Sequence, residues 1–260
     1  MQNDTTWYDG DYLDFLGEDK KVYNTTTIEP VMPFQLTENI KYIFRPVIPI
    51  HSWETPQLRQ GATQYPGGEL PVSVDFERKT EMGDIVLWNA LGSNDMVKPP
   101  NIMGFGITAM LDTATNKAFG TGKNSVGPMA VLLHVGAPKE YMYGAVVQHW
   151  WSISGVQDRD DVNMTNIQYI AFYRYNDSTN FGFGSPNITA NWEADNGDVW
   201  TIPVGFGFNT MTKIGPMPVR IGIEAYKYIE KPDNFGAEYG LRFYFSPVVP
   251  SPDFSKHALF

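Results

Sequence analysis

From Val219 to Tyr226, bulky apolar and small or charged residues alternate one for one. Val219, Ile221, Ile223 and Ala225 form one face, and Arg220, Gly222, Glu224 and Tyr226 form the other. The same rhythm recurs after Glu238, where Tyr239, Leu241, Phe243 and Phe245 oppose Glu238, Gly240, Arg242, Tyr244 and Ser246. It recurs again after Trp200, where Ile202, Val204, Phe206 and Phe208 oppose Thr201, Pro203, Gly205, Gly207 and Asn209. Ser185–Glu193 repeats it with Asn187, Thr189 and Asn191 on the polar face. A period of two belongs to a strand whose faces meet different surroundings, and a helix cannot satisfy it.

Further β-rich runs are Thr25–Met32, Ile40–Ile50, Asp84–Leu91, Ile102–Asp112, Val126–Val135, Tyr141–Ile153, Ile167–Tyr175 and Phe181–Trp192. Breakers such as Ala137-Pro138-Lys139, Asn176-Asp177-Ser178, Gly215-Pro216 and Pro232-Asp233-Asn234 separate runs at the spacing of successive hairpins. Residues 22–250 are therefore expected to form one domain. Residues 1–21 are expected as an arm or first strand, and 251–260 as a tail. The stretch 52–83 holds Pro56, Pro66, Gly67, Gly68 and Pro71, and is expected as a long irregular loop, plug or lid.

A soluble sandwich shows the same period. Two features favour a membrane barrel. The face opposite the apolar one carries Gly, Asn, Thr, Glu and Arg in place of the lysine-rich polarity of a solvated sheet, which suits a narrow lumen. Aromatic residues also gather near run ends, as interface girdles require; Trp150, Trp151, Trp192, Trp200 and Tyr226 are candidates. In hydrocarbon every backbone N–H and C=O needs a partner, and a closed antiparallel sheet leaves no edge. The expected fold is a closed all-β antiparallel transmembrane β-barrel of about 12 strands, since bacterial barrels use even numbers.

Composition excludes some functions. A net charge of −10 and a sequence pI near 4.8 argue against a phosphate-binding, nucleic-acid surface. With no cysteine there is no disulfide, thiolate metal site or Cys nucleophile. Met1 is followed by Gln2, Asn3 and Asp4 and not by a basic and apolar leader, so an exported protein is expected here in mature or re-engineered form.

Several segments resemble a bacterial outer-membrane family named for the MetA pathway of phenol degradation, whose members are described as transporter-like barrels. They are Ile28–Phe34 (IEPVMPF), Ile43–Ile50 (IFRPVIPI), Ala118–Leu132 (AFGTGKNSVGPMAVL), Gly184–Val204 (GSPNITANWEADNGDVWTIPV), Ile214–Lys231 (IGPMPVRIGIEAYKYIEK) and Gly240–Phe245 (GLRFYF). The resemblance covers most of the chain after Val22, and the stretch from SPNITANWEA through the following W-T-P is its most specific part. It implies a barrel of the Gram-negative outer membrane and carries over no catalytic residue. The acidic N-terminus, the 52–83 stretch and the tail depart from the pattern.

Inward candidates for a lumen network or selectivity set are Glu29, Arg45, Gln148, Arg174, Glu193, Arg220, Glu224, Glu238 and Arg242. The same residues also suit structural pairing inside a small barrel, where charges need partners. Asp158, Asp160 and Asp161 have the oxygen spacing of a weak Ca²⁺ site but lack the glycine and distal glutamate of an EF-hand. The four histidines show no HxH or HExxH spacing. Gly120–Ser125 misses the phosphate-loop spacing and reads as a hairpin turn. No Ser–His–Asp set follows from spacing, so neither an enzyme nor a cofactor is expected. The leading expectation is an outer-membrane barrel passing or binding a small solute, aromatic or apolar in character. A structural or partner-binding barrel is the alternative. The lipid bilayer is the expected partner in both.

Overall fold

The computed structural model describes residues 1–65, 68–93, 95–98, 100–184, 186–195 and 197–248, with side chains described outside 58–73 and 98. The strands in chain order are β1 (Gln2–Asp9), β2 (Lys21–Ile28), β3 (Met32–Gln35), β4 (Ile40–Tyr65), β5 (Gly68–Met82) and β6 (Ile85–Ser93). They continue with β7 (Val97–Lys98), β8 (Asn101–Leu111), β9 (Lys123–Val135), β10 (Tyr141–Gly155) and β11 (Asn163–Arg174). The last are β12 (Thr179–Phe183), β13 (Ile188–Asn191), β14 (Trp200–Ile214), β15 (Met217–Glu230) and β16 (Gly236–Pro247). A short helix, α1 (Asp11–Leu16), joins β1 to β2, and a 3₁₀ turn covers Lys117–Phe119. Among the described residues no helix is long and apolar enough to cross a membrane, which says nothing of strands.

All pairings are antiparallel, and they close on themselves. β1 pairs with both β2 and β16, and β10 pairs with β11, which completes a ring of 12 strand positions. β12 and β13 share one position between β11 and β14. β3, β5 and β7 lengthen positions already in the ring.

The ring turns its apolar side outward. Phe206 is 65 % exposed, Ile107 58 % and Phe243 51 %, whereas Glu224 is 2 % and Arg242 6 % exposed. A soluble barrel or sandwich would show the reverse. Trp151, Trp192 and Trp200 are exposed near one end of this belt, and Tyr141, Tyr143 and Tyr175 near the other. Tyr143 and Trp151 lie on one strand, about 27 Å apart at ~3.4 Å per residue. Tilt of the usual ~40° shortens this to ~20 Å, near the height of a barrel's apolar band. One stretch departs from the belt. Outward-facing Asn3 and Thr5 on β1, and Asn24 and Thr26 on β2, satisfy one another. Asn3 Nδ2 donates to Asn24 Oδ1 (2.9 Å) and Thr26 Oγ1 (2.8 Å), and Asn24 Nδ2 donates to Thr5 Oγ1 (3.0 Å).

The two ends differ. One end has short turns, of which the tightest is Gly215-Pro216, where Ile214 pairs with Met217 and Gly215 takes φ 60° as a two-residue hairpin requires. The other end carries α1 and the segments 112–122, 156–162, 192–199 and 231–235. We call these the turn end and the loop end.

Two expectations about elements need correction. The stretch 52–83 is not irregular: β4 and β5 form a long hairpin that continues past the ring at the loop end, with Pro56 opposite Phe76. A proline costs no ladder bond where its nitrogen faces the free edge of a two-stranded ribbon. The run Phe181–Trp192 is broken into β12 and β13 around Gly184 and Pro186, because a proline in mid-sheet removes a ladder donor.

Candidate functional site

The interior is divided in character, where the sequence pattern predicts a polar lumen throughout. On the wall made by β4, β6, β8, β9 and β10 it is apolar: Trp88, Ala90, Met129 and Val146 pack together with Ile43, Val47, Val86 and Val131 against them. Met110, Trp150 and Val162 form a second apolar group toward the loop end. Three buried polar side chains thread this wall as a chain. Trp150 Nε1 donates to Thr108 Oγ1 (3.1 Å), whose hydroxyl donates to Gln148 Oε1 (2.9 Å).

The opposite wall, from β14 through β1, is polar. Strand register places Glu224, Arg242 and Asp4 side by side on β15, β16 and β1. Arg242 clasps Asp4 through Nε to Oδ1 (2.6 Å) and a second nitrogen to Oδ2 (3.0 Å). Tyr226 donates its hydroxyl to Asp4 Oδ1 (3.1 Å) and lies 3.1 Å from Thr6 Oγ1. A two-point clasp of this kind is strong and fixes orientation. Arg242, Glu224 and Tyr226 are all below a tenth exposed, so this network is buried on the inner wall.

Glycines on the inner face make room for the rings. A Cβ on Gly240 would lie 2.5 Å from the Tyr226 ring, and one on Gly222 would lie 2.3 Å from Tyr244. Register sets each glycine opposite its tyrosine on the neighbouring strand.

Above the clasp, at the loop end, lies a cavity of about 300 Å³ lined by Tyr8, Asn187, Thr189, Thr201, Tyr228 and Phe235, together with Pro232, Gly236 and Ala237. Its ring wall continues sideways. Tyr8 is 5.2 Å from Phe235 and 4.5 Å from Tyr23, Tyr23 stacks on Trp53 at 5.0 Å, and Trp53 stacks on Phe119 at 5.4 Å. Phe119 and Phe235 come from two loops that fold in over the mouth. Asp84 holds the first of these loops: its carboxylate accepts N–H bonds from Thr113 (3.2 Å), Ala114 (3.1 Å) and Thr121 (2.6 Å) and the Thr121 hydroxyl (2.8 Å). Arg159 closes its far side on the carbonyls of Gly120 (2.6 Å) and Thr121 (3.3 Å).

The residues anticipated from sequence fall into three groups. Gln148, Arg220, Glu224 and Arg242 face the interior, as does Arg45, which pairs with Glu29 and lies over the Trp88 ring at 4.0 Å. Arg174 donates to the Gly136 carbonyl at the turn end. Glu238 pairs with Lys20 at the loop-end rim, and Glu193 is exposed in the loop after β13, so neither belongs to a mid-lumen network. Lys20, bridged to Glu238 and also 3.3 Å from Asp9, holds its proton more tightly than a free lysine, the bond to Glu238 being the largest cause.

Among the girdle candidates Trp151, Trp192 and Trp200 do face outward. Trp150 and Tyr226 do not: at 3 % and 4 % exposed they point inward, because neighbours in a strand take opposite sides. Asp161 is committed to Lys123 (2.9 Å) and to the Ser152 hydroxyl (3.1 Å), while Asp158 and Asp160 stand in an exposed loop. Among the described residues no group of three His, Cys, Asp or Glu is placed to hold a metal. As mouth residues Tyr8, Tyr228, Phe119 and Phe235 are missed: Tyr228 reads in the sequence as one more girdle aromatic near a run end. Their one local signal is an aromatic residue inside an otherwise polar loop, as at Phe119 and Phe235.

Closed ring, outward apolar belt and buried inward polar residues together define a transmembrane β-barrel of twelve positions. No known family profile matches the chain, and no curated protein matches it, so the phenol-degradation resemblance rests on short segments between Ile28 and Phe245 alone. Among solved structures the chain is similar to the crystal structure of a Pseudomonas aeruginosa FadL homologue. That likeness is 10 % in sequence and 0.35 in TM-score, covering 95 % of this chain and 87 % of the other. A likeness that distant assigns no function to the barrel.

Proposed function

We propose that this protein is an outer-membrane barrel that takes a small solute of apolar or aromatic body into its loop-end mouth and passes it along the interior. The observation that carries this is the aromatic cavity set directly above the Asp4–Arg242 clasp, with an apolar inner wall on the opposite side of the barrel. Ligand sites are concave, largely apolar and furnished with a few polar groups, which Asn187, Thr189 and Thr201 supply here. Short turns at one end and long loops at the other match the periplasmic and extracellular sides of outer-membrane barrels. On this reading the clasp is a gate. The resemblance to the phenol-degradation family agrees with an aromatic solute.

Planar-bilayer recordings and liposome uptake test the proposal. The wild-type barrel should conduct little without solute, and Arg242→Ala should raise its conductance. A barrel silent in both forms, with no solute-dependent uptake, would remove transport.

One observation favours the alternative of a partner-binding barrel. Beyond Ser52, the last β4 residue paired with β2, the β4–β5 ribbon runs on for about 40 Å at ~3.3 Å per residue, and among the described residues β5 pairs with β4 alone. Such free edges are templates for another chain. A stoichiometric protein that co-purifies from native membranes and is lost on deleting the ribbon would favour that reading.

A further inference from the structure

We propose that the mouth cavity selects a small organic cation, an ammonium group on a compact apolar body. This rests on the reading of the barrel as a solute binder and adds the charge of the solute. None of the residues lining the cavity carries a charge, so the lining itself sets no positive group against a cation. Three of the liners are aromatic, Tyr8, Tyr228 and Phe235, and a ring face attracts an ammonium ion through its quadrupole, most strongly where water is excluded. The oxygens of Asn187, Thr189 and Thr201 on the other side can accept from its N–H groups.

The rim has the complementary sign. Asp233 follows the liner Pro232, its N–H donates to Asp198 Oδ1 at 3.0 Å, and its carbonyl accepts the N–H of Asp11 at 3.2 Å, which gathers three carboxylate residues at the entrance. Of the nearby lysines, Lys20 is neutralised between Asp9 and Glu238, and Lys231, next to the liner Pro232, acts on the same Asp9 carboxylate. The wider field agrees. The loop-end segments 9–21, 53–84, 112–123, 156–162, 192–199 and 230–238 hold 21 Asp and Glu against 9 Lys and Arg. The turn-end segments 29–41, 93–101, 135–141, 174–179 and 213–218 hold 5 of each. A net-negative rim around a concave mouth concentrates ions of the opposite sign. An anion would be repelled there, and a neutral body would gain nothing from the field.

The test is isothermal titration of the full chain in a nonionic detergent, since zwitterionic detergents carry quaternary amines of their own. The probes are choline and its uncharged carbon analogue 3,3-dimethylbutan-1-ol. Choline should bind roughly tenfold or more tightly than the alcohol, as about 1.4 kcal/mol of ring attraction implies. Its affinity should fall with added salt, and it should weaken by roughly the same factor in Tyr228→Leu and in Phe235→Leu. Phe235 lies in a loop, so the second variant keeps the test alive if the first does not fold. Equal binding of both probes would overturn the cation inference and leave the solute pocket standing. Binding of neither would remove the pocket as well.

Discussion

Arg242 and Asp4 illustrate how single residues are fixed here by register more than by local preference. Each is a poor residue to bury alone, and each is acceptable because its neighbour across the sheet completes it. Gly222 obeys the same logic through space. Gly222→Val would press on the Tyr244 ring and should cost about 1–3 kcal/mol of stability, read from urea unfolding in lipid vesicles. At the rim, Lys123 and Ser152 hold the Asp161 carboxyl below its ordinary value, the bond from Lys123 being the largest cause. A lowered carboxylate pKa stabilises the fold above its unfolded value and loses that contribution as pH falls through the folded one. An NMR titration should therefore find Asp161 taking up its proton below the ordinary carboxylate range, and Lys123→Ala should move it back toward that range. Parity along a strand is legible in the sequence, and it correctly separates Ile221 from Arg220. Position near a run end is a weaker guide than parity, and it misplaces Trp150 in the girdle; next to Trp151 that side chain can only face inward.

Elements follow from the same alternation until a loop intervenes. The hairpin spacing predicts the ring, because each turn signal sits between two paired runs. The 52–83 ribbon is hidden because prolines that break a central strand are harmless on a free edge. The mouth is hidden for another reason. It is assembled from β1, β13, β14, β15 and loops distant in the chain, and nothing local says that Phe119 and Phe235 fold inward. Asp84 organises the first of those loops, taking up the amides that a bound anion would need. Asp84→Ala should leave those amides unpaired, destabilise the 112–122 loop by about 1–3 kcal/mol, and speed its amide exchange while the strands stay protected.

For the whole molecule, the decisive property is which side meets hydrocarbon. Phe206, near the middle of β14, faces outward, and Phe206→Arg should destabilise the barrel in vesicles by about 2–4 kcal/mol, whereas a solvated surface site would barely register the change. The ring also has a consequence for how it is made. Asp4 and Arg242 stand 238 residues apart, on the first and last strands, and those strands touch only when the sheet closes. Until then Arg242 has Glu224 beside it on the preceding strand, and Asp4 has no cation across the seam. The final zipping of the sheet and the pairing of this buried carboxylate are thus a single event: until the terminal strand arrives Asp4 lacks its cation and favours a seam still in contact with water.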